Sequence, residues 1–170
     1  FYKLMVQKGY SNDNFNPGRF KNILKNIFDD FNIKTVLDYG SGRGNWEKKI
    51  YNEGTVSASE YFKLDKVYQY EPTISNSKKI ASDCVVCFDV LEHVYICDLK
   101  NVVTDLYNHA KKIVVIQVAC YNAKAQLPNG ENAHVTVRNP IWWKGFLDSV
   151  STEFSEINTL LICTTKEKKI

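Results

Sequence analysis

Three observations predict an α/β fold, a doubly wound and mostly parallel sheet with a C-terminal antiparallel hairpin. Short, mostly apolar runs recur at 35–39, 66–70, 83–88 and 112–118, and segments with apolar residues three and four apart alternate with them. A glycine-rich turn, GSGRG at 40–44, follows the first of these runs directly. Strands apolar on both faces belong to sheets covered on both sides, and their alternation with helices is the mark of parallel strands.

Each element has its own signal. Pro17 suits the first turn of a helix, and Phe20, Ile23, Leu24, Ile27, Phe28 and Phe31 form one stripe, so residues 17–31 are expected to be an amphipathic helix. A helix is also expected from about 45 to 52, after the glycine turn. The second strand, 66–70, ends at Glu71 and Pro72, where proline stops the ladder. The third ends at Asp89. Leu99, Val102, Val103, Leu106 and Ala110 place a helix over 98–110, ahead of the fourth strand. A polar connection over 121–139, a helix over 140–150 and a hairpin of strands 153–157 and 159–164 complete the chain.

The chain has 170 residues, 44% hydrophobic and 24% charged, which suits one globular domain and excludes disorder and collagen. Within that domain the expected division is an N-terminal helix at 17–33, a ligand-binding core at 34–118, a substrate loop at 119–140 and a helix with hairpin at 141–165. No apolar run approaches the ~18 residues of a membrane span. The charge is +3, from 22 basic and 19 acidic residues, so nucleic acid is allowed but not indicated. Five cysteines form no paired pattern, which points to a reducing, cytoplasmic setting. Cys84 and Cys87 read as C-x-x-C, but a strand sends them to opposite faces, so core packing is expected and no metal site is predicted.

The chemistry gathers at the strand ends. Gly40, Ser41, Gly42 and Gly44 form a turn where a backbone can approach a ligand that any Cβ would block. Open α/β sheets bind ligands at this edge. Asp38, Glu71 and Asp89 end three strands there, and Glu71 is placed to accept ribose hydroxyls. An acid just before the first glycine disfavours a pyrophosphate and suits a cationic group.

The segments VLDYGSGRG (36–44), YEP (70–72) and CFDVLEHV (87–94) resemble the class I S-adenosylmethionine-dependent methyltransferases over about residues 34–118. LPNGENAH (127–134) and PIWW (140–143) resemble a narrower group of small bacterial and phage methyltransferases. The resemblance implies a Rossmann-like sheet with S-adenosylmethionine as cofactor. It implies that Gly40, Gly42 and Gly44 line the methionine and ribose, Asp38 holds the amino group and Glu71 the ribose hydroxyls. Asp89, Leu91, Glu92 and His93 would wall the site near the methyl.

One departure stands out: only residues 72–82 separate Glu71 from Asp83, so one strand and helix of the family pattern are expected to be missing. Ile74 or Ile80 is then a guess for the adenine contact, and Tyr61, Phe62 and Leu64, in the long stretch before 66, are expected to cover part of the site. His93 and His134 are the candidate bases, since both can titrate near neutrality. The expected acceptor is a small molecule. The alternative is a non-catalytic binding or regulatory protein on the same fold, motivated by the shortened middle and by the absence of a recognisable acceptor motif such as NPPY after the third strand.

Overall fold

The computed structural model describes residues 16–73 and 77–166. Its elements are α1 (Asn16–Arg19), α2 (Lys21–Asp30), β1 (Thr35–Tyr39), β2 (Lys49–Tyr51), β3 (Val56–Ser57), α3 (Ala58–Tyr61), β4 (Lys66–Tyr70), β5 (Ser82–Phe88), a 3-10 turn at Leu91–His93, α4 (Ile96–His109), β6 (Ala110–Ala119), α5 (Pro140–Ser151) and β7 (Asn158–Thr164). The main sheet runs β4-β1-β5-β6-β7 with every pairing parallel. All five strands therefore end at one edge.

Strand alternation divides the core in two. Val36, Cys84, Val86, Ile113 and Val115 face a cluster completed by Phe20, Leu24 and Phe28, with Trp46 and Phe62 from the chain after β1. Leu37, Val85, Cys87, Val114, Ile116 and Val118 face the other, which Leu99, Val103 and Leu106 of α4 and Trp143, Leu147 and Val150 of α5 close. Cys84 and Cys87 are both fully buried, on opposite faces, and neither is in a disulfide. The N-terminal helix is interrupted at Phe20, whose φ of −104° and ψ of 21° leave the helical range.

Two expectations are corrected. Residues 45–52 form no helix: Lys49–Tyr51 pairs antiparallel with Val56–Ser57 instead. The cause is the link between them, where Asn52, Glu53 and Gly54 all take positive φ, a conformation that suits Asn and Gly and reverses the chain. Nor is there a C-terminal hairpin. Residues 153–157 continue from α5 as turns, with Phe154 stacked on Tyr107 at 5.0 Å, while β7 pairs in parallel with β6 from Asn158 opposite Ile113 to Thr164 opposite Ala119. A single-residue link at Asn158 is too short to reverse two strands, and α5 supplies the crossover that parallel pairing needs.

The shortened middle is as expected. Among the described residues no strand lies between β4 and β5, and β4 is the sheet edge. The connection lies across β1 instead. Lys79 stands over the rings of Tyr39 and Tyr70, 5.5 and 4.9 Å from their centroids, and reaches Asp105 of α4 at 2.5 Å, where the Tyr39 hydroxyl also donates at 2.7 Å. Among the described residues no helix is long and apolar enough to cross a membrane.

Candidate active site

The order β4-β1-β5 means that the chain leaves β1 to one side and returns on the other, so the switch point lies between β1 and β5. The glycine turn fills it. Gly40 has φ of +77°, and a Cβ built on it would lie 2.5 Å from Val90 Cγ2, so the turn is pressed against the residue after Asp89. Only glycine combines that backbone with that contact.

Four of the turn's five N–H groups are committed within the protein. Gly40 and Ser41 donate to the Tyr70 carbonyl at 2.8 and 3.1 Å, Gly44 donates to Ser41 at 2.9 Å, and Gly42 donates to Glu71 Oε2 at 3.1 Å. Glu71 is 4% exposed and is held at the end of β4 from its own connection. Thr73 donates to Oε1 from its N–H and its hydroxyl, and the Glu71 N–H donates to Ser77 Oγ at 2.7 Å. Asp38 is also buried and accepts from Trp46 Nε1 at 2.8 Å. Burial pushes its carboxyl up to about 6; the indole bond pulls it back and the charge of Glu71 pushes it further up.

Asp89 follows β5 with φ of +53°, a strained backbone for a non-glycine residue. Its N–H donates to the Gln117 side chain at 3.0 Å, and Gln117, itself fully buried, donates on to Thr164 Oγ1 at 3.2 Å. The ends of β5, β6 and β7 are thereby tied together.

Beside them opens a cavity of about 480 Å³, lined by Asp89, His93, Tyr121 and His134 among others. The structure brings the two candidate bases into edge-to-face contact, with ring centroids 4.9 Å apart. His93 Nδ1 meets the Ala133 carbonyl at 2.7 Å and His134 Nδ1 meets the Tyr121 carbonyl. A carbonyl only accepts, so each Nδ1 carries its proton and each Nε2 is left as the basic nitrogen. Burial, the largest cause, shifts His93 below the usual histidine value.

Leu91 lies elsewhere, fully buried in the core with α4 and α5 and with no surface to offer a ligand. Ile74 falls outside the described residues, and Ile80 is exposed. Phe62 and Tyr61 pack with Tyr51 and Phe28 in an aromatic cluster under α2 rather than over the glycine turn.

Sequence reasoning missed Trp46 as the partner of Asp38, because the expected helix hid it; the N-E-G turn at 52–54 was the signal that a hairpin stood there instead. It also missed how Glu92 is held. That side chain is fully buried, accepts from the Ala119 N–H at 2.9 Å through Oε1, and leaves Oε2 without a hydrogen-bond partner. Its own carbonyl accepts from the Thr136 N–H at 3.0 Å, so Glu92 joins the turn that carries His93 to β6 and to the segment that carries His134.

No curated protein and no solved structure matches the chain significantly. A family model described as a methyltransferase domain matches residues 13–147, which takes in the glycine turn, the three strand-end acids, both histidines and most of α5. The parallel sheet, the turn at its switch point and that match agree: the chain belongs to the methyltransferase domain family.

Proposed function

We propose that this methyltransferase takes its methyl group from S-adenosylmethionine and passes it to a small molecule held beside Asp89, His93 and His134. The observation that carries the reading is the polarity of the glycine turn. A turn built for phosphate aims its N–H groups at the ligand. Here Gly40, Ser41, Gly42 and Gly44 spend theirs on the Tyr70 carbonyl, the Glu71 carboxylate and the Ser41 carbonyl. Two buried carboxyl groups, Asp38 and Glu71, flank the turn. A pyrophosphate would meet negative charge there, whereas an ammonium, a sulfonium and a ribose diol would meet acceptors.

The residues fit such a cofactor. The Trp46 bond occupies Asp38 Oδ2 and leaves Oδ1 for an ammonium, and Glu71 Oε2 accepts one N–H and keeps a second lone pair for a ribose hydroxyl. When bound, the sulfonium supplies an electrophilic methyl group. The protein's part is to hold the acceptor in line with it and to exclude other geometries, which is where most of the rate of such a displacement arises. An acceptor hydroxyl or amine also has a proton to lose, and Nε2 of His93 or His134 receives it. The low proton affinity of buried His93 keeps its ring neutral and ready to accept.

Calorimetric titration with S-adenosylmethionine and, separately, with NAD tests the reading. Micromolar binding of the first, none of the second, and loss of binding in Asp38→Ala and Glu71→Ala are expected. Binding of NAD, or unchanged binding of S-adenosylmethionine in both variants, overturns it. Binding without release of S-adenosylhomocysteine across an acceptor screen would leave a non-catalytic binding protein.

A further inference from the structure

We propose that the cavity beside the histidine pair is an anion site, and that the molecule it takes is a small carboxylate or phosphate ester rather than a neutral compound. The inference rests on the acceptor reading above and names the substrate class.

Three cations from three distant parts of the chain meet at this cavity: Arg19 at the end of α1, Lys124 in the connection after β6, and Lys166 just past β7. Among the described residues that line it Asp89 is the one carboxylate, so three cations face a single anion there. The surplus is local, because the whole chain of 170 residues carries only +3. Among the described residues none of the three is in a salt bridge. Lys166 is held instead by uncharged groups, with Nζ 5.1 Å from the Tyr121 ring centroid and 3.4 Å from the Asn122 carbonyl, and Arg19 lies over the Phe20 ring at 5.1 Å. Cations resting on rings and carbonyls keep their charge available to a ligand, and in a concave site their fields add. Thr165 also lines the cavity, with a hydroxyl able to donate to an anionic oxygen, whereas the neighbouring Thr164 hydroxyl already donates to the Val118 carbonyl at 3.1 Å.

Size favours a small molecule. About 480 Å³ lies within the range of pockets for single small ligands. A nucleic-acid strand would need a basic track extending beyond the cavity, and with 22 basic against 19 acidic residues the chain has little charge to build one.

The test follows the histidine Cε1–H signals of the protein, saturated with S-adenosylhomocysteine, during titration with phenyl phosphate and with phenol. The expected result is a saturable shift of the His93 and His134 signals by phenyl phosphate, with at least tenfold weaker binding of phenol. The double variant Lys124→Gln/Lys166→Gln changes two exposed side chains; it should lose at least tenfold in phenyl phosphate affinity while S-adenosylhomocysteine binds as before. Equal affinity for phenol and phenyl phosphate overturns the inference. So does displacement of phenyl phosphate by S-adenosylhomocysteine, which would assign the cations to the cofactor's own carboxylate. Binding of a dT12 oligonucleotide more tightly than phenyl phosphate would assign them to nucleic acid and overturn it too. Failure of phenyl phosphate while S-adenosylhomocysteine binds removes this inference alone; failure of S-adenosylhomocysteine while phenyl phosphate binds removes the cofactor reading alone.

Discussion

Replacing Glu92 by Gln removes a titration from the core, and its effect on stability is expected to change sign with pH. Glu92 has no exposed surface, and burial, the largest cause, pushes its carboxyl from 4.5 up to about 8. The neighbouring charge of Asp89 adds to the rise, and the N–H bond from Ala119 opposes it. The native state thus keeps a proton that the unfolded chain releases above about pH 4.5, and stability falls as pH rises from there through about 8. At about 1.4 kcal/mol per pH unit, the whole interval amounts to about 5 kcal/mol. Glutamine retains an oxygen for the Ala119 N–H and carries no charge, so Glu92→Gln should be within about 1 kcal/mol of the parent at pH 5 and more stable by several kcal/mol at pH 8.5. Urea denaturation of both proteins across this range gives the difference directly. Asp38, which also titrates above the ordinary carboxylate range, is common to both proteins and cancels. Parallel stability curves from pH 5 to 8.5 would refute the reasoning, because they would show that Glu92 is ionised in the native state at neutral pH.

Gly40→Ala should cost about 2–4 kcal/mol and abolish cofactor binding, since it meets both a positive φ and Val90; Gly40→Ala/Val90→Ala should recover the steric part of the stability alone, as read by urea denaturation. If Asp38 binds the cofactor's ammonium as a carboxylate, affinity falls as pH falls through about 6. Trp46→Phe removes the donor that stabilises that carboxylate, so the midpoint of the calorimetric pH profile should move upward; an unmoved or lowered midpoint would contradict the role given to the indole. Asp105→Ala leaves both the Tyr39 hydroxyl and Lys79 without their acceptor and should cost about 1–3 kcal/mol. A double-mutant cycle with Tyr39→Phe should return a coupling of about 1 kcal/mol, and additive losses would show that the two side chains do not act together.

How much of this was legible in the sequence depends on what each segment's pattern had to compete with. β1, β5 and β6 announce themselves because they are buried on both faces and their apolar runs admit one reading. α4 does so because Leu99, Val103 and Leu106 repeat at helical spacing and all end fully buried. Residues 45–52 are a different case. Trp46, Tyr51 and the charged residues between them carry no turn signal of their own, and the positive φ values that decide for a hairpin fall at 52–54, at the end of that segment and just past it. Around Asn158 the error was one of partner: Thr159–Thr164 is a strand as expected, but its partner is β6, and pairing across the chain leaves no local mark. In the site, Asp38, Glu71 and the glycines could be placed because a strand end fixes where a residue stands. Leu91 could not, because the 3-10 turn after β5 decides which of Leu91, Glu92 and His93 faces the core, and it sends Leu91 and Glu92 inward and His93 to the cavity.

The shortened crossover explains why Glu71 is held so completely in this fold. A parallel connection that skips one strand needs about a dozen residues, and residues 71–81 barely meet that length. The described part of this short connection crosses β1 at Lys79, which covers Tyr39 and Tyr70 and is anchored by Asp105. Two of its residues, Thr73 and Ser77, are the ones that bond Glu71, at its side chain and at its backbone N–H respectively. The segment that closes the sheet and the segment that aims the carboxylate are therefore one. Lengthening it at residues 77–80 would relax both at once, whereas in a fold with a full strand and helix there the two could vary separately.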